Sequence, residues 1–116
     1  MRNSKALNIT LWILQILAAL AFLFAGGAKL AGAAPMVATF EKIGIGQWFR
    51  YLTGSLEVIG AIGLLVPSYT FYAASLLAMV MVGAVITHLA ILGGSPAAAL
   101  VLLVLTATIA YFRRSR

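Results

Sequence analysis

The stretch YLTGSLEVIGAIGLLV, residues 51–66, decides how this chain is read. It is an apolar run with a carboxylate, Glu57, at its centre, in a chain that holds only 2 acidic residues. An ionised group at membrane depth costs roughly 2.5 to 3.5 kcal/mol on insertion scales and more in simulation, so Glu57 needs a partner or a task. Glu57, Gly60 and Gly63 recur every three residues, which places the carboxylate and two glycines on one broad helical face. That face is the expected packing side.

Composition explains why membrane depth is the right frame. With 64% hydrophobic and 9% charged residues, 116 residues cannot form a water-soluble globule that hides so much apolar surface. The expected class is all-α, an integral membrane four-helix bundle in one domain, because the length allows about four spans of roughly 20 residues and no separate soluble unit. The formal charge of +6 does not point to nucleic acid. Arg2, Lys5, Arg113, Arg114 and Arg116 lie at the two ends, where basic residues flank spans and set orientation. The chain has no cysteine. A disulfide, a thiolate relay and a sulfur-ligated metal are therefore out of reach without a partner chain or a bound molecule.

Working outward from residues 51–66, the second span is expected over about 49–66, stopped by Pro67. Residues 67–70 form a turn too short for anything but antiparallel neighbours. The third span, about 71–92, carries the chain's single histidine, His88, with Gly83, Ala84 and Thr87 in its neighbourhood. After Gly93, Gly94, Ser95 and Pro96, the fourth span runs over about 97–112. Toward the N-terminus, Pro35 opens a short amphipathic helix at about 35–43, with Met36, Val37, Phe40 and Ile43 on one face and Glu41 and Lys42 opposite. That helix is expected to lie along the membrane surface. Trp48, Phe49, Arg50 and Tyr51 then have the aromatic and basic character of an interfacial anchor. The first span, about 7–30, is interrupted only by Gln15 and the terminal Lys29. Without a small-residue cleavage site and a polar sequence after it, it reads as a retained span. The distribution of Lys and Arg places both termini in the cytoplasm.

Alternating span direction sets the depth of the polar groups. At 1.5 Å of rise per residue, His88 is expected roughly 5 to 8 Å below the outer boundary and Glu57 roughly 9 to 12 Å, with Lys29 near the boundary itself. Glu57 and His88 are then within reach of each other, directly or through a water, and Lys29 caps the mouth. The expected ligand-binding residues are Glu57, His88, Lys29 and Thr87, with Tyr51 and Trp48 near the entrance. A structural alternative stands beside this one. A buried Glu can fix helix register, a Lys at a span end usually snorkels to the headgroups, and Gln15 reads as structural.

One His and one carboxylate fall short of the three or four donors of the commoner metal sites, so no metal is expected. No nucleophile stands in a recognised arrangement, and no catalytic residue is assigned. What remains is proton exchange, or hydrogen bonding to the polar head of a lipid-soluble molecule such as a quinone.

The order of these features resembles the DoxX-like family of small four-span membrane proteins. The residues that carry the resemblance are Phe24, Gly27, Lys29 and Leu30 at the end of the first span and the 40–48 segment with Ile43, Gly44 and Ile45. Above all it rests on Gly54, Ser55, Leu56, Glu57, Val58, Ile59, Gly60, Ala61, Ile62, Gly63, Leu64 and Leu65. The resemblance implies a bacterial inner-membrane protein, in some members associated with sulfur-oxidising quinone reductase complexes or redox-stress assemblies, and in distant ones similar to assembly chaperones. It carries Lys29, Glu57 and His88 over as polar positions without a catalytic role. The absence of cysteine departs from thiol-handling relatives.

Three functions compete. The first is a redox-associated subunit that binds a quinone-like or other amphipathic molecule in an outer-leaflet pocket; it is not an enzyme on its own but a subunit of a membrane oxidoreductase. The second is a scaffold or assembly chaperone that docks a membrane protein partner, or a second copy of itself, on its glycine and alanine faces. The third is a small proton-coupled exporter, similar in size and span number to the small multidrug transporters, though Glu57 in the second span and the surface helix depart from them.

Overall fold

The structure is a computed structural model that describes residues 4–114, so Arg2 and Arg116 of the basic ends lie outside the described residues. Five α-helices follow one another and no strand occurs among the described residues: α1 (Lys5–Ala31), α2 (Ala34–Ile43), α3 (Trp48–Leu64), α4 (Thr70–Thr87) and α5 (Ala97–Arg113).

Local chemistry sets the ends. The Ser4 hydroxyl accepts the Leu7 N–H at 2.9 Å and caps α1. Gly32, at φ +74°, ends α1 in the left-handed conformation that glycine adopts without a Cβ clash, and Ala33 returns its N–H to the Ala28 carbonyl at 3.0 Å. Pro35 then sits in the first turn of α2, where a missing N–H costs nothing. Beyond α3, Pro67 opens a single 3₁₀ turn, Pro67–Tyr69, that reverses the chain into α4. The α4 spiral widens at its end into a π turn, His88–Leu92, closed by Gly93 N–H donating to the His88 carbonyl at 2.8 Å.

The four long helices form a ring: α1 packs on α3, α3 on α4, α4 on α5, and α5 back on α1. Direction follows from the contacts. Gln15 of α1 reaches the Leu64 carbonyl of α3 while Gly26 meets Gly54, so α1 and α3 are antiparallel. Gly60 meets Leu77 and Gly63 meets Ala73, so α3 and α4 are too. The core between them is built of small residues and a few large ones: Ala18, Ala19, Ala61 and Ala74 beside Phe22, Leu64, Leu77 and Ile109. Alanine and glycine at the contacts let backbones approach, which is how helices gain dispersion energy where burial from water is not the driving force.

The outside is as apolar as the inside. Phe24 (81% exposed), Met79 (70%) and Val101 (65%) stand on the outer faces of α1, α4 and α5, far beyond the scattered apolar residues of a water-soluble surface. Two segments, Lys5–Ala31 and Pro67–Leu92, are long and apolar enough to cross a membrane. Only 11% of the most apolar window of the second is buried inside the protein, which a core helix of a water-soluble domain would not show. α3 and α5 are shorter, at 17 residues each.

Candidate functional site

One face of α3 builds the site. Arg50, Gly54, Glu57, Ala61 and Leu64 follow at spacings of three and four, and all five are buried. At Gly54 a side chain has no room, because a Cβ there would stand 2.9 Å from the Lys29 Cβ and 3.0 Å from the Gly26 carbonyl oxygen. Gly26 is as tight, with the Gly54 carbonyl oxygen at 2.8 Å from its own notional Cβ. The two glycines bring the backbones of α1 and α3 together, and that approach lets Lys29 reach Glu57.

Lys29 Nζ lies 2.9 Å from Glu57 Oε1, with the side chains 12% and 3% exposed. By distance this is an ion pair. Its angles are not those of a hydrogen bond, and Oε1 has no aligned donor. The attraction is therefore chiefly charge against charge, strengthened by the low dielectric around it. Lys29, expected to cap the mouth or snorkel outward, instead turns inward onto the carboxylate.

Arg50 holds the other end of the same lysine. Its Nη1 donates to the Lys29 carbonyl at the end of α1, its Nε donates to Gln47 Oε1 at 2.6 Å, and its guanidinium lies 4.3 Å from the centre of the Tyr51 ring. The sequence marks Arg50 as an interfacial anchor; at 5% exposure it is buried. A cation on the carbonyl end of α1 also opposes the negative end of that helix dipole.

The other expected site residues lie elsewhere. In the register fixed by Gly60 on Leu77 and Gly63 on Ala73, Val80 stands level with Glu57. His88 is eight residues further along the chain, about 12 Å at 1.5 Å per residue. The polar contacts of His88 and Thr87 are local: His88 Nδ1 faces the Gly93 carbonyl at 3.4 Å, and the Thr87 hydroxyl donates to the Gly83 carbonyl at 2.8 Å. The expected meeting of Glu57 and His88 gives way to the Lys29 pair, because the glycine contact pulls α1 closer to Glu57 than the end of α4 comes. Trp48 and Tyr51 are 60% and 50% exposed, and Trp48 Nε1 donates to the Ile45 carbonyl at 2.7 Å. α2 is fastened across this end by Lys42 Nζ, which donates to the Leu92 carbonyl at 3.0 Å, and by Gln47 Nε2, which donates to Val37 at 3.1 Å. No group of three or more His, Cys, Asp or Glu converges among the described residues.

A second polar cluster, at the opposite end, is one that sequence reasoning passed over. Gln15, 1% exposed, donates from Nε2 to the Leu64 carbonyl at 2.8 Å and accepts at Oε1 from Arg113 Nε at 2.8 Å. Arg113 Nη1 also donates to Asn8 Oδ1 at 3.0 Å. The signal was available: Asn8 opens α1 and Arg113 closes α5, and antiparallel neighbours bring such ends together.

The sequence model described as the DoxX-like family matches residues 13–112, a range that takes in both polar clusters except Asn8 and Arg113. Searches of curated proteins and of solved structures return no match.

Proposed function

From a chain that belongs to the DoxX-like family, we propose a four-span inner-membrane protein in which the Lys29–Glu57 pair receives the polar head of a quinone-like or other amphipathic molecule. In this reading the protein is a redox-associated subunit, and its termini lie in the cytoplasm. Support for four spans comes from the ring of helices with apolar outer faces. The 17 residues of α3 and of α5 give about 26 Å each, close to the roughly 30 Å of a hydrocarbon core once the flanking turns are added.

The single observation that carries the ligand proposal is an ion pair kept at depth among apolar helices. An ammonium has three N–H donors and Glu57 draws on one direction only, so Lys29, the more exposed member, keeps donors for a carbonyl oxygen. The carboxylate beside it is a group able to hold a proton. Trp48 and Tyr51, exposed at this end, would flank the approach. A quinone would supply the electron-carrying chemistry; this chain would supply the hydrogen bonds and an apolar site for the ring.

The test is titration of a short-chain benzoquinone against purified protein. Wild type is expected to bind saturably and Glu57→Gln at least tenfold more weakly; equal binding, or none in either, removes the proposal.

The near-complete closure of Glu57 favours a second reading, a scaffold or assembly chaperone in which the pair fixes α1 on α3 and the outer faces dock a membrane protein. A stoichiometric partner retained by Glu57→Gln, with no quinone binding, would select it.

A further inference from the structure

α2 crosses the end of the bundle at which Lys29 and Glu57 meet. It touches α1, α3 and the π turn of α4, and it buries Phe40, 5% exposed, with Met36, Val37 and Ile43 half-buried beside it. The Phe40 ring packs on Phe49 at 5.8 Å between centroids, while Glu41 and Lys42 are exposed. In the register that sets Val80 level with Glu57, Arg50 is level with Thr87, so the π turn His88–Leu92 stands above the end of α1 as a shoulder. α2 leans on that shoulder, where the Lys42 ammonium donates to the Leu92 carbonyl at 3.0 Å. The Lys29–Glu57 pair lies beneath, with Glu57 about 10 Å below Arg50 at 1.5 Å per residue.

A molecule reaches this pair only if something moves, since Glu57 is 3% exposed and its Oε1 is closed off. α1 and α3 are locked to each other by the close contact of Gly26 and Gly54. α2 is held far more lightly. Phe40 is its one buried residue, where α1 and α3 bury six each, and its side-chain ties to the rest are the Lys42 bond and Gln47 Nε2 on the Val37 carbonyl at 3.1 Å. Its ends are set by glycines with left-handed backbone, Gly32 before it and Gly44 (φ +89°) and Gly46 (φ +110°) after it. An element with few buried apolar contacts opens at a lower free energy than the bundle it rests on. A rigid helix of 10 residues between two such pivots is built as lids are.

We propose that α2 is a lid on the Lys29–Glu57 centre, plugged by Phe40 and latched to the π turn by Lys42. It opens about the glycines at its two ends while the four long helices keep their packing. The lid rests on the quinone reading only for the identity of the molecule it admits.

Because the chain has no cysteine, a single introduced thiol reports access to the centre. Lys29→Met with Glu57→Cys places that thiol and leaves no orphan charge, and its reaction with N-ethylmaleimide is timed on the full chain in detergent micelles. Adding Lys42→Ala is expected to speed labelling several-fold and adding Phe40→Ala tenfold or more, whereas Gln15→Leu, which loosens the opposite end, leaves the rate within twofold. A rise in one lid variant alone supports the lid and identifies the fastening that limits it. Unchanged labelling in both overturns the proposal, as does an equal rise in Gln15→Leu, which would show access through general loosening of the bundle. Should Phe40→Ala fail to fold, Lys42→Ala alone decides. With the native pair in place, Lys42→Ala is expected to speed association and dissociation of a short-chain benzoquinone together and to hold its affinity within twofold; unchanged rates in a protein that binds overturn the lid. Absence of quinone binding in wild type removes the quinone reading and leaves the labelling rates to decide the lid.

Discussion

The two ends of the bundle solve the same problem with different chemistry. At one end α3 holds Lys29 twice, by its carbonyl through Arg50 and by its ammonium through Glu57. At the other, the uncharged amide of Gln15 accepts from Arg113 and donates to the Leu64 carbonyl, joining α1 to both α5 and α3. That carbonyl has lost its helical partner because the chain turns toward Pro67, and the Thr70 hydroxyl shares it at 3.2 Å. Opposite charges attract over distance but are costly when separated, whereas the neutral amide at the other end satisfies a carbonyl and a guanidinium at once, so only one member of that cluster is charged. The first end thus concentrates reactive potential, and the second serves closure.

The largest effect on this contrast is expected from Lys29→Met. Removing one member of a buried pair commonly costs about 3 to 5 kcal/mol, because the other charge is left uncompensated. Unfolding in mixed micelles should register that loss, and Lys29→Met with Glu57→Leu should recover most of it. Next comes Gly54→Val, which places carbon against the Gly26 carbonyl and should cost about 1 to 3 kcal/mol by forcing α1 from α3. A cost within about 0.5 kcal/mol would show that the backbones are not in contact.

Gln15→Leu should cost about 1 to 3 kcal/mol, since it strips a partner from a buried carbonyl. The comparison sharpens if quinone titration is unchanged in Gln15→Leu and lost in Glu57→Gln. The smallest effect is expected from Lys42→Ala, an exposed position whose bond to Leu92 fastens α2. Global stability should stay within about 0.5 kcal/mol, while amide exchange in α2 accelerates.

Much of the helical order was legible because its signals are local. Pro35, Gly44 and Pro67 punctuate the chain, and the 3.6-residue period does not depend on neighbours. Glu57 stood out because an ionised carboxylate in an apolar run is costly unless it has a partner or a task. Its partner was harder to read. Depth alone favoured His88, and nothing in a linear reading says that Gly26 and Gly54 meet closely enough to bring Lys29 inward. Arg50 misled for a related reason: arginine beside aromatics reads as a headgroup anchor, and only the returning end of α1 turns it into a buried cap. Gln15 was read as structural, but its partners, a carbonyl 49 positions away and an arginine 98 away, exist only once the ring closes.

The central claim is that Lys29 and Glu57 form one interacting unit between α1 and α3. A double-mutant cycle on unfolding free energy, with Lys29→Met, Glu57→Gln and the double variant, measures this most directly. The account predicts a coupling of about 1.5 kcal/mol or more between the two positions; additivity within about 0.5 kcal/mol would contradict it.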